Sequence, residues 1–294
     1  MTNWIEVILR LLVTGAKGQV GSEFVETVAQ KESSWEVLAT DKDELDFTNR
    51  VEVFGAIDSF LPDIIVHCGA LTAVDLCEDE VELAYSINAM GTRFLKQGAR
   101  RVGASVFYLS TDYVFNGLGT TPYREWDAPD PLSIYGKSKL AGELELDSSD
   151  LIVRTAWVMG KYGNNILKTM IRLAKGQGDV TFVDDQFGIP TVVTDLVDVM
   201  IKLISDRQSG IYHVTNCEVT SWHDLTKFVF ETLGANPSRV LPIATSQLDS
   251  SRKAPRPAYS VLDHSALRLG GYGETPIWQE SVSCLIAQLR DSYL

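Results

Sequence analysis

The sequence predicts an α/β protein built on an open, doubly wound parallel sheet, with a smaller mixed α/β region in the second half of the chain. Short apolar runs alternate with helical stretches through the first half, which is the pattern of βαβ units. A glycine-rich turn joins the first apolar run to the first helical stretch. The 294 residues are enough for one large domain or two modest ones.

Five strands are predicted in the first half of the chain. The first ends in glycines, the second ends at Asp41, and the third follows the turn signal of Pro62 and Asp63. These strands cover residues 10–14, 36–40, 64–68, 105–110 and 151–155. Helices are predicted between them over residues 19–30, 51–60, 80–102 and 132–146. A buried parallel sheet with helical crossovers follows from this alternation.

The next part of the chain gives a more mixed pattern. An amphipathic helix is predicted over residues 165–175, because its apolar residues share one side. A short strand is predicted over residues 181–183. A helix over residues 196–204 and a strand over residues 211–214 are expected to return to the main sheet.

Two further helices and a long connection complete the chain. Ser221 opens one helix with capping-box spacing, and Gly234 ends it. Thr275 and Pro276 cap the last helix. The connection between these helices, residues 237–272, is rich in proline and polar residues, and we expect it to cover a cleft.

Composition and charge limit the classes of partner. The formal net charge of −13 argues against nucleic acid or an anionic membrane as a general partner. No apolar run in the sequence approaches the ~20 residues of a membrane helix. The first ten residues resemble neither a signal peptide nor a transit peptide. The four cysteines lack C-x-x-C spacing, so we expect free thiols in a reducing cytoplasm.

The glycine-rich turn predicts a dinucleotide site. Gly15, Gly18 and Gly21 follow a strand and open a helix, and Gln19 and Val20 lie between the last two glycines. Amides at the start of a helix face an anion, and glycines let a pyrophosphate approach the backbone. The spacing is G-x-x-G-x-x-G, and a tight turn without a ligand is the alternative explanation. The turn favours a Rossmann-type sheet.

An acidic residue follows the second predicted strand. Asp41 lies 20 residues after Gly21, where a carboxylate binds the adenosine ribose of a dinucleotide. A carboxylate there repels a 2′-phosphate and favours NADH, whereas Lys17 and Lys42 would offset that repulsion. NADH or NADPH is therefore expected as the cofactor, with NADH slightly favoured.

Tyr135 and Lys139 have the spacing of residues that share one face of a helix. The Lys139 ammonium is therefore expected beside the Tyr135 phenol, where its charge would lower the phenol pKa from about 10. Such a phenol can protonate a carbonyl oxygen while a hydride reaches the carbon. Thr111, 24 residues before Tyr135, would supply a hydroxyl to the same oxygen. The three residues predict a site that moves a hydride and a proton.

Seven segments together resemble a known family. The chain resembles the extended short-chain dehydrogenases/reductases and, among them, the dTDP-4-dehydrorhamnose reductases, which are sugar-nucleotide reductases. The resemblance runs from about residue 10 to about residue 269. The segments that carry it are residues 14–21, 69–75, 110–115, 135–143, 154–157, 185–191 and 256–260. The glycine turn and the Tyr135/Lys139 pair mark the superfamily, whereas segments 110–115 and 185–191 are more specific to sugar-nucleotide reductases.

The resemblance implies a reaction and a catalytic set. It implies hydride transfer from NADH or NADPH to the C4 ketone of dTDP-4-dehydro-6-deoxy-L-mannose (dTDP-4-dehydrorhamnose), which gives dTDP-L-rhamnose. Tyr135 would donate the proton, and Thr111 would hydrogen-bond the developing alkoxide. Lys139 would hold the nicotinamide ribose and lower the tyrosine pKa.

The resemblance also implies binding residues. The backbone at Ala70 and Leu71 would pass the cofactor, and Leu71 stands where the family commonly has a histidine. Arg256 lies in a basic cluster suited to the substrate diphosphate. Packing is the alternative role for Tyr113 and Trp157, and a solvated loop is the alternative for the basic cluster. The implied substrate-binding residues are Thr72, Val74, Thr111, Asp112, Tyr113, Trp157 and Arg256.

Motifs and resemblance divide the chain into two regions. Residues 1–156, with residues 187–218 returning to them, are expected to form a dinucleotide-binding Rossmann domain. Residues 157–186 and 219–294 are expected to form a smaller mixed α/β substrate-binding domain. The sequence gives no role to residues 1–8.

Two other functions compete with the reductase. The first is another sugar-nucleotide epimerase or dehydratase, although 4,6-dehydratases typically carry Asp-Glu after the threonine and this chain has Asp112 and Tyr113. The second is a non-catalytic NADP-binding regulatory subunit, against which the intact catalytic set weighs. Some relatives are described as magnesium-dependent homodimers. No motif marks such a metal site, and the four histidines lack metal-ligand spacing.

Overall fold

The protein is described by a computed structural model that covers residues 8–32, 34–249 and 252–293. Residues 1–7, which belong to the segment without a sequence-derived role, lie outside the described residues. The strands are β1 (Arg10–Thr14), β2 (Glu36–Thr40), β3 (Ile64–His67), β4 (Ser105–Thr111), β5 (Leu151–Thr155), β6 (Val158–Met159), β7 (Val180–Val183), β8 (Phe187–Gly188), β9 (Thr191–Val192), β10 (Gly210–His213), β11 (Thr220–Ser221) and β12 (Val240–Ile243).

Helices connect these strands. A π-helical turn, Ser86–Met90, joins the fourth helix to the fifth. The helices are α1 (Gln19–Lys31), α2 (Arg50–Phe60), α3 (Val74–Asp79), α4 (Val81–Tyr85), α5 (Gly91–Val102), α6 (Ile134–Glu143), α7 (Ile166–Ala174), α8 (Val193–Ser205), α9 (Trp222–Thr232), α10 (Ser265–Leu269) and α11 (Trp278–Tyr293).

A six-stranded parallel sheet forms the centre of the protein, in the order β10-β5-β4-β3-β1-β2. The predicted α/β fold with a doubly wound parallel sheet is confirmed. Successive strands run outward in one direction from β1 to β2 and in the other from β3 to β5. The strand order therefore reverses between β1 and β3, and open sheets of this kind bind ligands at the carboxyl ends of the strands beside such a reversal.

Both faces of the sheet are buried, as its sequence pattern requires. Leu11 and Val13 on β1 pack with apolar residues of α1 and α8 on one face. Leu12, between them, packs on the other face with residues of α2 and α5, among them Ile57 and Leu95. All five side chains have no exposed surface. Alternate residues of one strand thus pack against two helical layers, one on each face of the sheet.

A second core lies in the later part of the chain. It joins α7, α9 and α11 through residues that include Met170, Leu225 and Val282. Small strand pairs accompany it: β7 with β12 in parallel, β8 with β11 in antiparallel fashion, and β6 with β9 in parallel. In the segment 187–218, β10 is a strand of the main sheet and α8 packs with α1 on one face of that sheet. In the same segment, β8 pairs with β11 outside the main sheet.

Several elements differ from the sequence prediction, among them the helices α3 and α10, which the sequence does not predict. The helix predicted over residues 80–102 is helical throughout residues 81–102, but the π-helical turn divides it. The strand β12 lies inside segment 237–272, for which the sequence analysis gives no strand.

None of the described helices is long and apolar enough to cross a membrane.

Candidate active site

A cavity of about 970 Å³ lies at the carboxyl edge of the central sheet. Its walls come from the turns that follow β1, β2, β3, β4 and β5. Leu71 and Arg256 lie outside its lining, although the sequence predicts both as binding residues. The other predicted site residues all line it: Gly15, Gly18, Gln19, Val20, Gly21, Asp41, Ala70, Thr72, Val74, Thr111, Asp112, Tyr113, Tyr135, Lys139 and Trp157.

The glycine turn after β1 is packed too closely for side chains. Gly15 has a φ of 71°, in the left-handed region, and a Cβ there would lie 2.6 Å from the Gly69 nitrogen. A Cβ at Gly21 would lie 2.2 Å from the Gly15 carbonyl oxygen. Gly18 precedes the first residue of α1. The turn therefore presents bare backbone at a helix N-terminus, which fits the pyrophosphate of a dinucleotide.

Asp41 lies across this turn at the end of β2. Its two carboxylate oxygens accept hydrogen bonds from the backbone nitrogens of Lys17 (2.9 Å) and Lys42 (2.8 Å). The Lys17 ammonium lies 2.5 Å from Glu44 Oε1 and 3.9 Å from Asp43 Oδ2. The charge of Lys17, expected to offset Asp41, is thus held by two other carboxylates.

Thr111, Tyr135 and Lys139 come from two adjoining elements. Thr111 ends β4, whereas Tyr135 and Lys139 lie one turn apart on α6. Ser133 caps α6, because its hydroxyl accepts from the Gly136 nitrogen at 3.1 Å. The Thr111 hydroxyl lies close enough to the Tyr135 phenol to lower the pKa of that phenol. The structure therefore brings together the three residues that the sequence predicts as the catalytic set.

The protonation of Tyr135 differs from the sequence expectation. Burial raises the pKa of Tyr135 above its usual value, and the neighbouring Thr111 hydroxyl opposes this only partly. Lys139, which was expected to lower that pKa, donates instead to the Leu109 carbonyl at 2.7 Å. The expected net lowering of the Tyr135 pKa is wrong because burial and the neighbouring acidic groups raise it, and the Lys139 ammonium is bound to the Leu109 carbonyl. The phenol keeps its proton at neutral pH and can act as a proton donor.

Lys139 is itself buried. Its Nζ lies 4.0 Å from the centre of the Tyr108 ring, and 2% of the residue is exposed. Burial lowers the pKa of Lys139 to about 7, although the charge of Glu143 favours the ammonium. Lys139 therefore changes between a charged ammonium and a neutral amine within the physiological pH range.

Asp112 lies beside the Thr111 hydroxyl. The Thr111 hydroxyl donates to Asp112 Oδ1 at 3.0 Å and accepts from the Tyr113 nitrogen at 3.2 Å. Burial raises the pKa of Asp112 to about 6. Asp112 is therefore a buried carboxyl group that orients Thr111 at the cavity wall.

A buried ion pair connects α6 to the sheet. Arg154 on β5 donates to both carboxylate oxygens of Glu143, at 3.0 and 2.7 Å. The Ser110 hydroxyl, next to Thr111, donates to the same carboxylate at 2.5 Å. These contacts connect the helix that carries Tyr135 to the strand that carries Thr111.

Asn88 makes a second connection, from inside the π-helical turn. Its side-chain oxygen accepts from the Leu71 nitrogen at 2.8 Å, and its nitrogen donates to the Ser138 hydroxyl at 2.9 Å. Ser138 in turn donates to the Tyr135 carbonyl at 2.9 Å. Asn88 therefore joins the turn after β3 to α6, and π-helical turns are frequent at functional sites.

Arg256 is held away from the cavity. Its guanidinium donates to Asp75 on α3, at 2.7 and 3.3 Å, and Lys253 pairs with Asp79 on the same helix at 2.6 Å. Arg256 also lies close to the Tyr113 phenol. It would have to leave Asp75 before it could meet a diphosphate, so the basic cluster fastens this segment to α3.

Trp222 lines the same cavity but is not among the residues to which the sequence points. It opens α9 and stacks on Trp157, with ring centroids 3.6 Å apart and planes at 13°. Its place in the sequence gives no sign of this, because the contact depends on pairing between β8 and β11.

Within the described residues, no three His, Cys, Asp or Glu side chains are grouped to hold a metal ion.

Comparison with known proteins gives consistent matches. A family model described as the RmlD substrate binding domain matches residues 9–291. The chain is 41% identical over 265 residues to the spore coat polysaccharide biosynthesis protein SpsK of Bacillus subtilis, which covers 89% of this chain and 92% of SpsK. It is 39% identical over 285 residues to dTDP-4-dehydrorhamnose reductase of Aggregatibacter actinomycetemcomitans, which covers 93% of this chain and 97% of the relative.

A solved structure agrees with these relatives. The crystal structure of dTDP-4-dehydrorhamnose reductase from Bacillus anthracis in complex with NADP has a TM-score of 0.91 and 40% sequence identity, and the match covers 96% of this chain and 100% of that one. The chain therefore belongs to the dTDP-4-dehydrorhamnose reductase family and is an NAD(P)H-dependent oxidoreductase.

Proposed function

We propose that the protein reduces the C4 ketone of dTDP-4-dehydrorhamnose to give dTDP-L-rhamnose. The observation that carries the proposal is the meeting of Thr111, Tyr135 and Lys139 in one cavity with the glycine turn. The identity of the substrate comes from the relatives, which are named dTDP-4-dehydrorhamnose reductases. A regulatory subunit would not need these three groups together.

The cofactor would lie along the first part of the cavity. The bare backbone of the glycine turn, with Gln19 and Val20, would hold the pyrophosphate, and Asp41 would face the adenosine ribose. The backbone at Ala70 and Leu71 would pass the nicotinamide half, whose ribose Lys139 and Tyr135 would contact. When bound, the reduced nicotinamide supplies the hydride.

Tyr135 would supply the proton. As hydride adds to C4, the electron pair of the C4–oxygen double bond moves to the oxygen, which takes the phenolic proton of Tyr135. Thr111 would hydrogen-bond the same oxygen while its charge develops. The Lys139 ammonium would stabilise the tyrosinate that remains. The products are a secondary alcohol and an oxidised cofactor, and the tyrosinate would regain its proton from solvent before the next turnover.

The sugar nucleotide would occupy the rest of the cavity. Thr72, Val74, Asp112, Tyr113 and Trp157 line it on the side of the ends of β3, β4 and β5. We propose that residues 1–156 and the returning elements α8 and β10 bind the cofactor. Residues 157–186 and 219–294 would form the substrate-binding domain, which Trp222 supports because it lines the cavity from that part of the chain.

Location and assembly belong to the same proposal. The free state of Cys68, Cys77, Cys217 and Cys284 supports a reducing cytoplasm. A homodimer stays a prediction that sedimentation or light scattering can test.

The experiment that tests the proposed function is a steady-state assay at the reduced-nicotinamide absorbance band. Enzymatically made dTDP-4-dehydrorhamnose is the substrate, and UDP- and GDP-linked 4-keto-6-deoxyhexoses are the controls. We expect turnover with the dTDP-linked sugar and at most weak turnover with the others. Equal rates with all three nucleotides would contradict the assignment of the substrate.

Asp41 is expected to set the choice of cofactor. Asp41→Asn keeps an oxygen for the amides of Lys17 and Lys42 but removes the charge that repels a 2′-phosphate. The ratio of kcat/KM for NADPH to that for NADH should rise about tenfold, equivalent to ~1.4 kcal/mol. Asp43→Asn, an exposed acid in the same turn, is the matched control and should change the ratio less. A ratio unchanged by Asp41→Asn would show that Asp41 does not face the ribose.

A further inference from the structure

Trp157 has a strained backbone conformation. Its φ is 47°, in the left-handed region, which is a genuine outlier for a bulky side chain. Strain of this kind costs on the order of 1–3 kcal/mol and persists where the surrounding structure imposes it, often at functional sites. The surroundings of Trp157 therefore have to account for its conformation.

The position of Trp157 places it near the reacting groups. It lies two residues beyond Thr155, which is opposite Thr111 in the register of β4 and β5. Neighbouring strands are about 4.8 Å apart. A sugar ring that reacts beside Thr111 and Tyr135 would therefore lie next to the part of the cavity that Trp157 lines, and the nucleotide would extend away from it.

One strand pair holds the indole of Trp157. Trp222 stacks on the ring, with centroids 3.6 Å apart. Gly188 also lies against it, since a Cβ there would be 2.7 Å from Trp157 Cε2. Gly188 is opposite Thr220 in the pairing of β8 with β11, and Trp222 follows β11 directly. Both groups that confine the indole are thus carried by the same ribbon.

We propose that Trp222 is a positioning residue that, together with Gly188, holds Trp157 in its left-handed conformation so that the two indoles form the hexose-binding wall of the cavity. The inference rests on the proposed function, because it takes the ligand to be a 6-deoxyhexose linked to a nucleotide. The methyl group and the C–H face of such a sugar are apolar, so a rigid aromatic wall suits them.

The test compares ligands that share the nucleotide but differ in the sugar. Isothermal titration gives the Kd for dTDP-L-rhamnose, dTDP and NADPH in the wild type, Trp222→Ala and Trp222→Phe. Trp222→Ala should weaken dTDP-L-rhamnose about 3- to 10-fold, the range of an aromatic pair worth about 0.5–1.5 kcal/mol. The affinities for dTDP and NADPH should not change. Trp222→Phe should recover most of the affinity because a phenyl ring can still stack.

Two further measurements separate positioning from general damage. Trp222→Ala should lose the exciton couplet that stacked indoles give in circular dichroism, and it should raise KM for the keto sugar nucleotide more than it lowers kcat. Gly188→Ala should have the same effect on dTDP-L-rhamnose, because its Cβ would displace the Trp157 ring. The matched control is Trp126→Ala, which changes a tryptophan that is 60% exposed and lies outside the cavity lining.

Three results would overturn the inference. One is a Trp222→Ala protein that loses the couplet but keeps wild-type affinity for dTDP-L-rhamnose. Another is an equal loss of affinity for dTDP, which would put the indoles on the nucleotide. In both, the wild-type protein still turns over the keto sugar, so the proposed function stands. The third is a wild-type protein that binds dTDP-L-rhamnose no more tightly than dTDP. The proposed function fails separately, if the wild-type protein does not reduce the keto sugar.

Discussion

Replacing Tyr135 with phenylalanine is expected to lower kcat by about 10²- to 10⁴-fold, the usual contribution of general acid catalysis. The phenyl ring keeps the packing of Tyr135 against Cys77 and Ala84 and removes only the hydroxyl. Burial keeps that hydroxyl protonated at neutral pH, so the wild-type group is ready to donate. The Kd for the reduced cofactor should change little, because Lys139 and the glycine turn, the main proposed cofactor contacts, are kept.

The Tyr135 prediction has a matched control in Tyr212→Phe. Tyr212 lies on β10 of the same sheet, and its hydroxyl donates to Gln208 Oε1 at 3.0 Å, away from the cavity lining. This variant should keep near wild-type kcat. A Tyr135→Phe enzyme with wild-type turnover would remove Tyr135 from the mechanism, and cofactor binding measured by fluorescence would show that its fold is intact.

A Lys139→Met variant is expected to lose both cofactor affinity and turnover. One ammonium would serve the nicotinamide ribose and the tyrosinate, and a hydrogen bond to a charged group contributes about 1.5–3 kcal/mol. The Kd for NADPH should therefore rise about 10- to 100-fold, and kcat should fall as well. Lys137→Met, an exposed lysine on the same helix, is the control and should match the wild type. An unchanged Kd in Lys139→Met would exclude the ribose contact.

The pH dependence of cofactor binding tests the same lysine. Burial lowers the pKa of Lys139 to about 7, so the ammonium is present below that pH and is lost as the pH rises through it. The Kd of the wild-type protein for NADPH should therefore increase from about pH 6 to about pH 8. The same titration of Lys139→Met should lack this step, and a step of equal size in both proteins would assign it to another group.

The strands of the central sheet follow from local sequence. Residues 10–14 and 151–155 are predicted and observed as strands with identical bounds, because a buried parallel strand is a short apolar run with clear ends. The division of the helix over residues 80–102 could not be predicted. It coincides with Asn88, whose side chain hydrogen-bonds to Leu71 and Ser138, residues that are distant in the chain.

The candidate site could be predicted where strand ends carry its residues. The glycine turn, Thr111 and the α6 pair follow from spacing and from the rule that parallel strands end at one edge. Trp222 could not be found in this way, because β8 and β11 bring it to Trp157 by a pairing that no local pattern marks. The placement of Arg256 on Asp75 and the raised pKa of Tyr135 likewise depend on tertiary burial rather than on spacing.

The most direct test of the reductase is the fate of a labelled hydride. The protein is incubated with dTDP-4-dehydrorhamnose and NADPH carrying deuterium at the transferable position of C4 of the nicotinamide, and the product is analysed by NMR and mass spectrometry. If the protein is this reductase, we expect one deuterium at C4 of the deoxyhexose for each cofactor oxidised. Conversion of the sugar without net oxidation of the cofactor, as in an epimerase or a dehydratase that returns its hydride, would contradict it.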